Sequence, residues 1–193
     1  MKHPHIALTG LARSGKDTVA GYLEHRYGYT HLALADEVRE AALRTDPIII
    51  PDDERDDWGS DHMRLAELVS GHGWEYAKTN PEVRQYLQRF GQSMRDVDPR
   101  IWIRPVLTQV LNATAHDTPC VISDLRYLNE VDELQRHGAL TVRIVRPDSG
   151  LRGVSAAHVS ETELADTETA HTLHNDRHYP HLFSQVDSLL GRI

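Results

Sequence analysis

The sequence predicts an α/β protein with a mostly parallel sheet and helices on both faces. Three observations lead there. Short apolar runs alternate with helical periodicity along most of the 193 residues. The first run, Ile6-Ala7-Leu8-Thr9, passes directly into Gly10-Leu11-Ala12-Arg13-Ser14-Gly15-Lys16-Asp17-Thr18, which opens a helical pattern. A later run, Cys120-Val121-Ile122-Ser123, ends in the carboxylate of Asp124. The glycine-bearing loop and Asp124 both stand just past strands, and open parallel sheets bind ligands at the carboxyl ends of their strands.

The elements follow in order. Residues 5–9 read as a buried strand, and 16–27 as a helix with Val19, Tyr22, Leu23 and Tyr27 apolar. A second strand is expected at 30–34 and a helix near 36–44. Residues 45–61 contain proline and are strongly acidic (Asp46, Asp52, Asp53, Glu54, Asp56, Asp57, Asp61), which reads as an exposed loop rather than a metal site. Helices are expected at 62–71, 81–97 and 100–115, the second with Val83, Leu87, Phe90 and Met94 on one face. Asn80 caps that helix and Pro81 opens it. After the strand at 120–124, a helix over 128–137 stops at Gly138. Residues 140–145 form a strand and 147–160 a loop. A strand near 170–174 and a helix near 181–190 close the series.

Composition excludes several classes. The 21 basic and 29 acidic residues leave a net charge of −8, which argues against general nucleic-acid binding. A phosphate-bearing ligand must then meet local positive charge. Lys2, Lys16 and Lys78 are the only lysines, and one of them sits in the loop; the other basic residues are arginines, whose forks suit phosphates. With Cys120 alone, no intrachain disulfide can form. No signal-peptide pattern and no long apolar stretch is evident, so a soluble, cytoplasmic protein without membrane partners is expected. His171, His174, His178 and His181 have a 3–4–3 spacing that would line one helix face. The expected strand and Pro180 interrupt that helix, so these read as surface histidines.

The loop carries the chemistry. Its G-x-x-x-x-G-K core lets backbone N–H groups curl around a polyphosphate, and the following helix start adds its positive dipole end. Lys16 reaches the outer phosphates. Asp17 stands where Ser or Thr is usual, with Thr18 behind it. The plain alternative is a glycine-containing strand-to-helix turn with no ligand. Asp124 stands where nucleotide-binding proteins place a metal-organising carboxylate. Leu125, not a glutamate, follows it, which speaks against a motor ATPase. No N-K-x-D, G-x-S-x-G or H-E-x-x-H pattern is present.

Gly10-x-x-Arg13-Ser14-Gly15-Lys16-Asp17-Thr18 resembles the phosphate loop of phage-type deoxynucleoside monophosphate kinases. Asp124-Leu125-Arg126-Tyr127-Leu128-Asn129-Glu130 is similar to that family's D-x-R-[FY]-x-N-E stretch. Arg84-x-x-Leu87-Gln88-x-x-Gly91 with Trp102, and His158-Val159-Ser160-Glu161 after Arg146-Pro147, match two further segments in order. The chain departs from the family pattern at Gln92, Leu128 and Ala139.

The resemblance implies a single three-layer P-loop NTPase domain over 1–193. Its core would comprise 1–34 and 116–193, with a helical monophosphate-binding region at about 35–115 and a lid at about 147–160. It implies phosphoryl transfer from ATP, with Mg²⁺, to a deoxynucleoside monophosphate. Gly10, Arg13, Ser14, Gly15, Lys16, Asp17, Thr18 and Arg146 would bind ATP. Asp17, Thr18 and Asp124 would organise the metal. Arg84, Gln88, Gly91, Trp102, Asp124, Arg126 and Glu130 would line the acceptor. Lys16, Arg13, Asp17, Arg126 and Arg152 would serve the transfer itself, with Arg146 and Arg152 closing over the phosphates. Core packing is the alternative for Trp102, and a surface charge or scaffold ion pair the alternative for Arg84 and Arg126. Two other functions stay open: a P-loop kinase for another small acceptor such as dephospho-coenzyme A, and a non-catalytic nucleotide-binding regulator. A homodimer, a phage source and a host-cytoplasmic location rest on the resemblance alone.

Overall fold

The computed structural model describes residues 3–49, 63–147, 149, 164 and 169–192. They divide into two compact units, one formed by residues up to Leu34 and from Ile103 onward, the other by Ala35–Trp102. The helix at 103–115 therefore belongs with the first unit.

The first unit is a five-stranded, wholly parallel sheet. Its strands are β1 (Ile6–Thr9), β2 (Thr30–Leu32), β5 (Cys120–Ile122), β6 (Leu140–Val145) and β7 (His171–His174), in the spatial order β2-β5-β1-β6-β7. Central β1 is buried at every position and pairs Ile6 with Val121 of β5 and with Leu140 of β6. A strand covered on both faces reads as a continuous apolar run, which is why IALT and CVI show no alternation. The second strand ends at Leu32 rather than 34, because Leu34 already begins a helix.

Helix α1 (Lys16–Tyr27) buries Val19, Ala20 and Leu23 and stops at Gly28, whose φ of 71° completes a left-handed C-cap. Tyr22 and Tyr27 are only half-buried. Both hydroxyls donate to one carboxylate oxygen of Asp187, at 2.8 and 2.7 Å. That bond, with desolvation behind it, pushes the Tyr27 phenol up to about 12. Asp187 lies on the last helix, which spans Tyr179–Leu190 and starts two residues earlier than the periodicity suggests. Pro180 sits in its first turn, where a missing N–H costs nothing. The four spaced histidines consequently divide: His171 and His174 on β7, His178 at the N-cap and His181 inside the helix.

Gln185 of that helix covers the exposed edge of β7. Its amide accepts from His174 N–H at 2.9 Å and donates to His174 C=O at 2.8 Å, as a neighbouring strand would. Helices α5 (Ile103–Ala115) and α6 (Leu128–Arg136) complete this unit. The expected C-cap Gly138 has a φ of 79°. Cys120 is buried.

The second unit begins one residue into α2 (Leu34–Thr45). It adds a two-stranded antiparallel pair, β3 (Ile48–Ile49) with β4 (Met63–Arg64), then α3 (Leu65–Ala77) and α4 (Pro81–Val97). The acidic stretch is thus not all loop: Thr45 ends α2 and Ile48–Ile49 form β3, while 50–62 lie outside the described residues. The helix expected at 62–71 is the first part of α3; at Gly73 the backbone leaves helical geometry, with φ 78° and ψ 167°, and a second short helical segment continues to Ala77. Asn80 caps α4 as expected, its Oδ1 accepting from Glu82 N–H at 2.8 Å. Of the apolar face on α4, only Val83 is fully buried; Leu87 and Phe90 pack against the cluster of Ala42, Ile49, Leu65 and Leu68. Among the described residues no helix is long and apolar enough to cross a membrane.

Candidate phosphate-binding site

The carboxyl edge of the first unit presents three segments side by side. Neighbouring parallel strands lie about 4.8 Å apart. The pairing of β5, β1 and β6 therefore sets Asp124, the Gly10–Lys16 loop and Arg146 next to one another in that order.

The loop is held in an unusual backbone path. Gly10, Arg13 and Gly15 have φ values of 135°, 64° and 108°. A Cβ at Gly10 would come within 2.3 Å of the Ile144 carbonyl oxygen of β6, so this position tolerates no side chain. Arg13 is exposed and pays left-handed strain with a full side chain, a conformation that natural sites retain where surrounding structure enforces it. Alternating handedness of this kind turns successive N–H groups inward and makes an anion-binding concavity.

Gly15 caps α1 without any side-chain cap bond. The first intrahelical bond is Val19 N–H to Gly15 C=O at 3.1 Å. The N–H groups of the first turn precede that bond and lie at the positive dipole end of the helix. Lys16 Nζ folds back over the loop, donating to Gly10 C=O at 2.8 Å and Leu11 C=O at 2.9 Å. Its ammonium is thereby held at the loop. Ser14 is fully buried, and neither its Oγ nor the buried Thr9 Oγ1 of β1 has a hydrogen-bond partner among the described residues. Asp17 is exposed in the first turn of α1, and Thr18 is half-buried beside it.

Past β5, Asp124 is half-buried and its Oδ1 accepts the N–H of Leu34, the first residue of α2, at 2.8 Å. Two more bonds join the ends of β2 and β5: His31 Nε2 with Ser123 Oγ at 2.7 Å, and Ser123 N–H to Leu32 C=O at 3.4 Å. Arg126 is exposed. Glu130, which the sequence suggests as a substrate contact, is only 2% exposed. Its Oε2 accepts from the backbone N–H groups of Arg126 and Tyr127, at 2.9 and 3.2 Å. The carboxylate thus shapes the turn that presents Arg126.

Arg146 is exposed just beyond β6, and its carbonyl accepts from Ser149. Arg152, the His158–Glu161 segment and most of the expected lid lie outside the described residues. In the second unit, Arg84 and Gln88 are exposed on one face of α4, one turn apart. Gly91 lies on the same helix, and a Cβ there would meet Val38 only at 3.5 Å, an ordinary contact. Trp102 is 6% exposed and donates from Nε1 to the Gly91 carbonyl at 3.0 Å, with its ring tilted against Phe90. Its packing role is therefore visible in the unit itself.

The family model for deoxynucleotide monophosphate kinase matches residues 62–186, more than half of the chain. The chain belongs to this family. The match takes in Arg84, Trp102, Asp124, Arg126 and Glu130 but begins after the phosphate loop. A curated protein of Acanthamoeba polyphaga mimivirus, provisionally described as a deoxynucleotide monophosphate kinase, is 27% identical over 95% of this chain and 94% of its own length. Two solved structures share the fold. A sugar kinase from Janibacter sp. HTCC2649 has a TM-score of 0.50 and 16% identity, covering 98% of this chain and 95% of its own. A dephospho-CoA kinase from Campylobacter jejuni has a TM-score of 0.50 and 13% identity, covering 98% of both chains. The α/β fold is thus one that these two kinases share.

One residue of this family member escaped the sequence reading. Asn175, directly past β7, is buried, and its Nδ2 donates to the Ser14 carbonyl at 2.9 Å. Its position just beyond a strand end is the same signal that marks Gly10 and Asp124.

Proposed function

We propose that the protein transfers the γ-phosphoryl group of ATP to a deoxynucleoside monophosphate, giving the diphosphate and ADP. The observation that carries this reading is the adjacency of β1 and β5. It sets a lysine-bearing loop with positive φ at Gly10, Arg13 and Gly15 beside a segment that presents an exposed arginine. Membership of the deoxynucleotide monophosphate kinase family supports the substrate class.

The reaction asks for positioning and charge neutralisation more than for bond-making groups. The loop N–H groups would cradle the β-phosphate. Lys16 would leave the Gly10 and Leu11 carbonyls and follow the charge of the γ-phosphoryl group. Arg13 and Ser14 would complete the loop's contacts, and Arg146 would approach the same phosphates, joined by Arg152. Arg126 would grip the acceptor phosphate. Arg84, Gln88, Gly91 and Trp102 are assigned to the acceptor by family resemblance. The attacking phosphate oxygen has a second pKa of about 6, so it is ionised at neutral pH and needs no strong general base.

Mg²⁺ suits the donor set at hand. Asp17, Thr18 and Asp124 offer carboxylate and hydroxyl oxygens, the ligands a hard cation prefers, and Mg²⁺ commonly takes one or two carboxylates with substrate phosphates and water. When bound, it would neutralise charge on the β- and γ-phosphates. Asp17, exposed in the first turn of α1, would hold it directly or through water, with Thr18 behind. Asp124, whose Oδ1 accepts the Leu34 N–H, would add the second carboxylate.

The test is ADP formation with ATP alone and with each common deoxynucleoside and ribonucleoside monophosphate. Stimulation by a deoxynucleoside monophosphate is expected. Nucleotide binding with no stimulated turnover by any monophosphate would overturn the reading in favour of a regulator.

A further inference from the structure

The β7 turn and the phosphate loop lie 161 residues apart in sequence yet share a buried hydrogen bond. Asn175 Nδ2 donates to Ser14 C=O at 2.9 Å. Asn175 is itself fixed: its backbone N–H donates to Val145 C=O at 2.7 Å, and Gln185 grips both main-chain groups of the preceding His174. The contact is close enough that a Cβ on Gly15 would lie 2.5 Å from Asn175 Nδ2. Gly15 is therefore needed for the amide as much as for its φ of 108°.

No peptide bond among the described residues is cis. In a planar trans peptide the C=O and the following N–H point in opposite directions. Whatever fixes the Ser14 carbonyl thus fixes the Gly15 N–H, which no helical acceptor engages. We propose that Asn175 is a positioning residue for phosphoryl transfer: by holding the Ser14 carbonyl outward, it aims the Gly15 N–H into the loop at the donor's β-phosphate. A donor set in advance binds without reorganising when the phosphate arrives. The inference rests on the reading that this loop holds the phosphoryl donor.

The dependence on a β-phosphate separates positioning from mere packing. ADP and AMP binding are measured by calorimetry on the full chain, for the native protein and for Asn175→Ala, Asn175→Asp and Lys16→Ala. Asn175→Asp keeps shape and backbone bonds but sets an acceptor against the Ser14 carbonyl. Loss of one well-aimed donor to a charged group is expected to weaken ADP about tenfold or more. AMP binding and the KM of the acceptor should stay within about twofold. ADP affinity unchanged in both Asn175 variants, with Lys16→Ala impaired, overturns the role of Asn175 and leaves the donor-loop reading intact. ADP affinity unchanged in Lys16→Ala as well overturns both. Should the Asn175 variants fail to fold, nitrogen-15 spectra of the native protein decide. The Gly15 amide must move on adding ADP far more than on adding AMP, and an unmoved Gly15 amide overturns the inference.

Discussion

Glu130 Oε2 accepts the backbone N–H of Arg126 at 2.9 Å, so a buried carboxylate sets the direction of an exposed arginine. The same oxygen takes the N–H of Tyr127 at 3.2 Å. Removing it leaves two donors without their acceptor, at roughly 1–3 kcal/mol for each buried group. Glu130→Ala should lower unfolding free energy by about 2–4 kcal/mol in urea titrations. Glu130→Gln retains an acceptor oxygen and should lose about 1 kcal/mol. In both, the KM for the monophosphate should rise more than the KM for ATP, because the disturbed turn carries Arg126. Equal stability of Glu130→Ala and the native protein would rule out this role.

Asp124 has two separable tasks. Its Oδ1 caps Leu34 N–H at 2.8 Å, and its charge is proposed to serve Mg²⁺. Asp124→Asn keeps an acceptor for Leu34 but removes the charge. Melting temperature should stay within a few degrees, while kcat falls by about 10²-fold or more. Asp124→Ala should lose both. A fully active Asp124→Asn would remove the residue from the metal assignment.

Lys16 makes its observed bonds to two carbonyls in a partly exposed loop, so Lys16→Ala should leave stability nearly unchanged. Its kcat/KM should fall by about 10²–10³-fold, the scale on which one preorganised electrostatic contact acts. Steady-state kinetics with ATP varied would show this directly.

Trp102 distinguishes packing from binding. Its buried indole donates to Gly91 C=O at 3.0 Å. Trp102→Phe should cost about 1 kcal/mol for the lost bond, and Trp102→Ala about 3–5 kcal/mol for the cavity. Measuring the KM for the acceptor beside the urea midpoint separates the roles. A large rise in KM at native stability for Trp102→Phe would point to substrate contact instead of packing.

His5 makes stability depend on pH. Burial holds its imidazole below the ordinary histidine range. Nδ1 accepts the N–H of Cys120 at 2.9 Å, and Nε2 meets Thr114 Oγ1 at 2.8 Å while that hydroxyl donates to Val110 C=O. The ring is thus neutral, with its proton on Nε2, and protonating Nδ1 would abolish the Cys120 bond. The unfolded chain binds the proton more readily than the native one. The stability from this group is fully present above pH ~6.5 and is lost as pH falls from there toward the lowered native pKa, at up to about 1.4 kcal/mol per pH unit. Urea unfolding at pH 7.5 and pH 5.5 should show a steeper loss in the native protein than in His5→Gln. Equal slopes would contradict it.

Much of the architecture was legible because it is written in local periodicity. The α1 and α4 boundaries follow from Gly28, Asn80 and Pro81, whose effects act within one turn. Boundaries slipped where a residue has two uses. Pro180 reads as a breaker but serves as a first-turn residue. Ile48–Ile49 could not be recognised as a strand among acidic neighbours, since two residues show no period.

For the site, the sequence by itself determined the strand–loop–helix at which the phosphoryl donor is proposed to bind. Glycine spacing, the lysine and the flanking periods are all contiguous there. It also placed Asp124 and Arg126 just past a buried strand. Tertiary structure alone decided what these groups touch. Strand order β2-β5-β1-β6-β7 sets residue 124 beside the loop, ties Asp124 to Leu34, sinks Glu130 beneath Arg126 and brings Asn175 onto Ser14. The physical reason is that a polar side chain near a strand end takes its partner from whichever strand pairs alongside. That pairing is settled by burial of the whole sheet, not by any neighbouring residue in the chain.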